Sequence, residues 1–137
     1  MKFTIDNILI TEFSFRREQV IDFDTEYDKV ENGLNIGTSI SIEENDVIVK
    51  LTADIVQSFQ QRKLVESKVV IIGVFKTDGN GDEKQKENFA SINAPAILFP
   101  YVREAISSAS VKSGLPPILI QPVNFVEMSI QGKKQVM

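Results

Sequence analysis

Residues 97–108 read Ile97-Leu98-Phe99-Pro100-Tyr101-Val102-Arg103-Glu104-Ala105-Ile106-Ser107-Ser108, and the pattern is helical. Val102, Ala105, Ile106 and Ala109 recur at spacings of three and four, which gathers them on one side of a helix. Upstream, Asn93 offers a cap and Pro95 suits a first turn, where its missing N–H costs nothing. Downstream, Gly114 supplies the left-handed residue that ends a helix, and Pro116 follows as a stop. Pro100 removes one hydrogen bond inside the run and predicts a kink or a restart there. The helix is dense in small side chains: Ala105, Ser107, Ser108, Ala109 and Ser110. Two readings are open, a helix lying tightly on its own sheet or one packed on a symmetry mate.

Everything before this helix reads as strand. Leu34, Ile36, Ile40 and Ile42 alternate with polar or small residues, the period-2 signature of a half-buried strand. Glu43-Glu44-Asn45-Asp46 is a turn, and Val47, Val49, Leu51, Ala53 and Ile55 alternate again, so the two runs make an antiparallel hairpin. Gln60-Gln61-Arg62-Lys63 closes that strand and starts another. Near the N-terminus the apolar residues switch parity, from Phe3 and Ile5 to Ile8 and Ile10 and back to Phe13 and Phe15. Such switches within one strand predict bulges or a bend, because an extra residue re-aims every later side chain. The run Val69-Val70-Ile71-Ile72-Gly73-Val74-Phe75 is apolar on both faces and needs cover on both, from its own chain or from another subunit. Thr77 to Asn88 reads as a mobile polar loop. The expectation is one α+β domain over residues 1–137, with a sheet over about 1–76, a loop over 77–88 and helices over about 93–131.

Composition removes whole classes of chemistry. The 137 residues include no Cys, no His and no Trp. Thiolate nucleophiles, disulfides, Ser–His pairs and ordinary zinc or haem sites are therefore excluded. A net charge of -4 argues against nucleic acid as partner. The opening Met1-Lys2-Phe3-Thr4-Ile5-Asp6 meets charge before any apolar stretch, and no run approaches the length of a membrane span. We therefore expect a cytoplasmic chain without membrane insertion. Asp22, Asp24, Glu26 and Asp28 invite a metal reading, but spaced acids without the calcium-loop glycine pattern read better as a solvated linker. No cofactor is expected.

The 97–108 stretch resembles the main-helix signature of the SecB family of export chaperones, L-F-P-Y-A-R-E followed by Ile and Ser or Thr, with Val102 in place of Ala. In the same register, Leu115-Pro116 through Pro122-Val123-Asn124-Phe125 is similar to the family ending F-P…L-x-L-x-P-V-N-F, with Ile118 and Ile120 where Leu stands. Gly73-Val74-Phe75 resembles the family's fourth strand. The resemblance implies a four-stranded antiparallel sheet, taken as a meander, followed by a main kinked helix and a short C-terminal helix. It also implies a homotetramer, a dimer of dimers with the main helices between two sheets, that holds unfolded clients without ATP in apolar grooves. By the same resemblance the groove takes Leu34, Ile36, Ile40 and Ile42 with Phe125 and Met128. The subunit seam takes Tyr101, Ala105, Ser108, Ala109 and Lys112.

Departures from the family pattern bear on partners. Acids on the sheet face contact the SecA motor in family members. Glu12 keeps one such acid, whereas Arg16 and Lys68 reverse two others and so weigh against SecA. The basic stretch Gly132-Lys133-Lys134-Gln135-Val136-Met137 reads as an ending, and it is expected to stand where the family continues into a long second helix and an acidic tail. A general holdase and a dedicated chaperone of a toxin–antitoxin system, its client the antitoxin, both fit. Outside that class stand a non-catalytic structural oligomer and an enzyme on a hotdog-like scaffold. The enzyme is disfavoured because the long helix here follows the fourth strand, and only Asp, Glu, Lys, Arg and Tyr remain for acid–base work.

Overall fold

The apolar alternation of the first half becomes four long antiparallel strands in a computed structural model that describes residues 2–131. They are β1 (Phe3–Arg17), β2 (Glu31–Glu43), β3 (Asp46–Phe59) and β4 (Arg62–Thr77). The two hairpin turns hold their residues in the left-handed region, Glu44 at φ 52° and Gln60 and Gln61 at 48° and 68°. Strand order is β1-β4-β3-β2. The expected meander therefore covers β2 to β4 only; β1 lies beyond β4, an order of Greek-key type. The 18–30 connection makes this possible by crossing the ends of β4 and β3. Arg62 pairs there with Glu18 at 3.1 Å and Glu26 at 2.6 Å, and the Tyr27 hydroxyl donates to Gln57 Oε1 at 2.8 Å.

The parity switches in β1 are bulges. Its register on β4 shifts between Ile5 and Asn7 and again between Ile10 and Glu12. As a result Phe3, Ile5, Ile8, Ile10, Phe13 and Phe15 all stand opposite odd-numbered β4 residues and share one face. On that face Val65, Val69, Ile71 and Phe75 are buried beneath the helices, with Val47, Val49, Leu51, Ala53 and Ile55 of β3 beside them. On the opposite face Ile72 and Val74 stay half-buried, so one chain covers the two-sided strand incompletely.

The helical layer begins earlier than its sequence suggests. The expected loop over 77–88 gives way to α1 (Glu83–Asn88), because Asp82 accepts the backbone N–H of Gln85 while the Gln85 side chain accepts that of Asp82. A π-turn over Phe89–Asn93 then runs into α2 (Ala94–Lys112). Asn93 is consequently helical and makes no side-chain cap, contrary to expectation. Its neighbour explains why: Pro95 has no N–H to return, and the widened turn, with Ala94 donating to the Phe89 carbonyl, accommodates that missing bond. α2 continues through Pro100 without a restart.

Gly114 ends α2 as expected, at φ 76°, in a full Schellman motif: Leu115 N–H bonds the Ser110 carbonyl and Gly114 N–H that of Val111. Ser110, fully buried, accepts the Ile118 N–H at 2.9 Å and pins the following extended segment to the helix. Asn124 then caps α3 (Phe125–Gln131) through the Glu127 N–H.

α2 lies close on β4 at Gly73, where a Cβ would sit 2.7 Å from the Phe75 ring and 2.9 Å from Leu98 Cδ2. Gly73→Ala is therefore expected to destabilise the fold by about 1–3 kcal/mol through overpacking. Thermal melting monitored by circular dichroism checks this, a lowered midpoint being the expected result.

Candidate functional site

Strand β2 is an edge of the sheet, paired only with β3, and its even positions point to the helical side. Leu34, Ile36, Ile40 and Ile42 stand opposite Ile55, Ala53, Val49 and Val47. They lie along a trough beside the helical layer that is open as two depressions, with the buried Ile36, Gly37 and Thr38 between them. At one end Leu34, Asn35 and Ile36 meet Val123 and Met128 around a depression of about 240 Å³. At the other, Ile40 and Ile42 lie beneath Glu83, Glu87, Asn88 and Ser91 around about 510 Å³. Exposure varies along the row, with Leu34 at 43%, Ile36 at 7% and Ile40 and Ile42 half-buried.

Five of the six expected groove residues line these depressions. Phe125 does not: it is buried, edge-on to Phe99 at 5.7 Å between centroids, and anchors α3 to α2. This corrects its assignment to the groove, since its ring lines neither of these depressions. Val123 takes the lining place. Glu83 and Glu87 were also missed, because their segment reads as loop.

The second expected surface is the outward side of α2. Val102, Ile106 and Ser110 are buried on the sheet, while Tyr101 and Lys112 are exposed and Ala105, Ser108 and Ala109 half-exposed. Ser110 is thus the small residue that serves packing within the chain. The others form a shallow stripe left open beside the Tyr101 ring.

On the opposite, flat side of the sheet three acids pair with bases. Glu12 approaches Lys68 at 3.8 Å, Arg16 pairs with Glu66 at 3.0 Å, and Asp46 binds Lys76 at 2.8 Å. The acids of the 18–30 connection serve the loop itself. The Asp22 carboxylate accepts from Thr25 and Asp24, and these bonds, Thr25 first, hold its pKa below the ordinary range. Glu26 is held low by the Asp22 N–H and then by Arg62. Burial is the main cause raising the Tyr27 hydroxyl.

A family profile described as "Preprotein translocase subunit SecB" matches residues 1–136. The chain is 32% identical over 104 residues to the "Protein-export protein SecB" of Orientia tsutsugamushi (strain Boryong), covering 76% of this chain and 64% of that relative's length. It is 28% identical over 138 residues to the protein of the same name from Chromohalobacter salexigens, covering 98% of this chain and 84% of the relative. Among solved structures, the Mycobacterium tuberculosis SecB-like chaperone in complex with a ChAD peptide from the HigA1 antitoxin superposes with a TM-score of 0.74. It does so at 14% identity, over 88% of this chain and 90% of that one, a likeness of fold. The four-stranded sheet, the long helix through Pro100 and the short helix begun at Asn124 thus agree with a match along nearly all of the sequence, and the chain belongs to the SecB family.

Proposed function

We propose that this chain is an ATP-independent holdase that binds non-native polypeptide in the trough beside β2 and acts in the cytoplasm in protein export. The observation that carries the proposal is the pair of open depressions along β2, one at Leu34 and Ile36 beside Val123 and Met128 and one at Ile40 and Ile42, with Leu34 exposed and Ile40 and Ile42 half-buried. An unfolded client offers apolar side chains, each worth about 1.5–3 kcal/mol when fully buried. It also offers unpaired backbone, which the free edge of β2 can receive. The thioether of Met128 suits clients of varied shape. Holding a chain requires no bond chemistry, so the protein acts as a binder and not an enzyme. The outward stripe of Tyr101, Ala105, Ser108, Ala109 and Lys112 is assigned to the seam of a homotetramer that joins troughs of several copies into longer tracks. The test is suppression of aggregation of guanidinium-denatured citrate synthase by substoichiometric protein. Unchanged light scattering at equimolar protein would reject the reading.

The matched charges on the flat face favour a second reading, a chaperone dedicated to an antitoxin-like client. With Glu12 beside Lys68 and Glu66 beside Arg16, the face offers little net attraction to a basic motor surface such as that expected of SecA. Titration with SecA separates the readings: micromolar binding supports the export route, and its absence together with one dominant co-purifying partner supports the dedicated one.

A further inference from the structure

We propose that the fold leaves Asn80–Gly81 open to spontaneous covalent modification, in which the asparagine closes to a succinimide and reopens as aspartate or isoaspartate. The inference is independent of the holdase reading. Ring closure needs a backbone free to turn and an unhindered nitrogen on the next residue, which Gly supplies. Asn or Asp precedes Gly at three places, Asn32–Gly33, Asp78–Gly79 and Asn80–Gly81. The fold restrains the first two.

Asn32 and Gly33 lie in β2, in register with Gln57 and Val56 of β3. Asn32 Oδ1 accepts from Gln57 Nε2 at 2.8 Å, and the buried Gln57 accepts in turn from the Tyr27 hydroxyl. Turning the Gly33 nitrogen onto the Asn32 side chain would break this anchor and the ladder, so reaction there waits on local opening of the strand. Asp78 is restrained chemically. Its carboxylate accepts the Asn80 and Lys2 N–H groups, each at 3.1 Å, and these bonds, Asn80 first, hold its pKa below the ordinary range. An ionised carboxylate is a poor electrophile, and the Gly79 N–H is donated to Thr77 Oγ1 at 3.2 Å. Asn80 is exposed, and it and Gly81 lie outside every strand and helix. The Gly81 N–H makes no hydrogen bond among the described residues.

The reaction balances with water as the only co-reactant. The Gly81 nitrogen gives its proton to solvent base, and its electron pair forms a bond to Asn80 Cγ. The Cγ–Nδ2 bond breaks and ammonia leaves. Water then opens the ring: attack at Cγ leaves aspartate, and attack at the α-carbonyl leaves isoaspartate, with the backbone running through Cγ. Either product adds one negative charge to the net -4, two residues ahead of the Asp82 that caps α1.

The test incubates the folded full chain in mildly alkaline buffer at physiological temperature and maps its peptides by liquid chromatography and mass spectrometry. Conversion at Asn80 is expected to exceed that at Asn32 by at least about tenfold, because only the strand site must open first. In guanidinium the two sites should converge, and Gly81→Ala should slow conversion at Asn80 alone. Equal conversion at Asn32 and Asn80 in the folded chain, isomerisation at Asp78 ahead of Asn80, or an unchanged Asn80 would overturn the proposal. So would a difference that persists in guanidinium, since the fold would then not be its cause.

Discussion

Leu34→Asp combined with Met128→Asp is expected to abolish the suppression of aggregation while leaving the chain folded. Leu34 is 43% exposed and Met128 half-buried at the rim of the same depression, so neither carries much of the core. Each gives up about 1.5–3 kcal/mol of apolar contact with a client, and each aspartate must also be desolvated when one binds. Together the losses weaken binding by at least about 100-fold. Phe125→Ala is the contrasting change. It removes a buried ring packed on Phe99 and is expected to cost about 3–5 kcal/mol of stability. Light scattering with denatured citrate synthase and thermal melting, run on both variants, separate a lining residue from a supporting one.

The second large effect is expected on assembly. Tyr101→Ala with Ser108→Arg should reduce the proposed homotetramer to dimers, as measured by light scattering coupled to size-exclusion chromatography. Tyr101 stands out from α2 at 49% exposure, and an aromatic anchor at the centre of an interface commonly carries 2 kcal/mol or more. Ser108→Arg places a charge where the proposed seam needs a small side chain for two helices to approach closely. Because Val102, Ile106 and Ser110 hold the other side of α2, the folded chain should survive both changes. Aggregation suppression should fall with the particle mass if long tracks need several copies.

The sequence made some features legible and hid others for definable physical reasons. The β1 bulges could be read because side-chain parity responds to every extra residue, and Phe3 through Phe15 record two changes. The end of α2 could be read because Gly114 and Pro116 are local signals. Strand order could not: periodicity states which face is buried, not which neighbour provides the hydrogen bonds, and β1 pairs with β4. The resemblance to SecB brought the architecture but assumed a simple meander. α1 was hidden because Gly79, Gly81 and a run of charges outweigh a capping box that Asp82 and Gln85 spell out. This one omission concealed the acidic wall of the trough. Phe125 was misplaced because an aromatic residue at a helix start fits either side of it, and only the packing against Phe99 decides.

The bulges in β1 also determine where this strand can change length. Asp6 and Thr11 are the residues left without a partner in the ladder to β4. Deleting either one removes its bulge, and every other side chain keeps both its face and its opposite number. The same cut at Leu9 would throw Ile8 out of phase with the helical side. The strand thus holds two spare links, and shedding them trades local curvature for straightness without rewriting which residues meet the core.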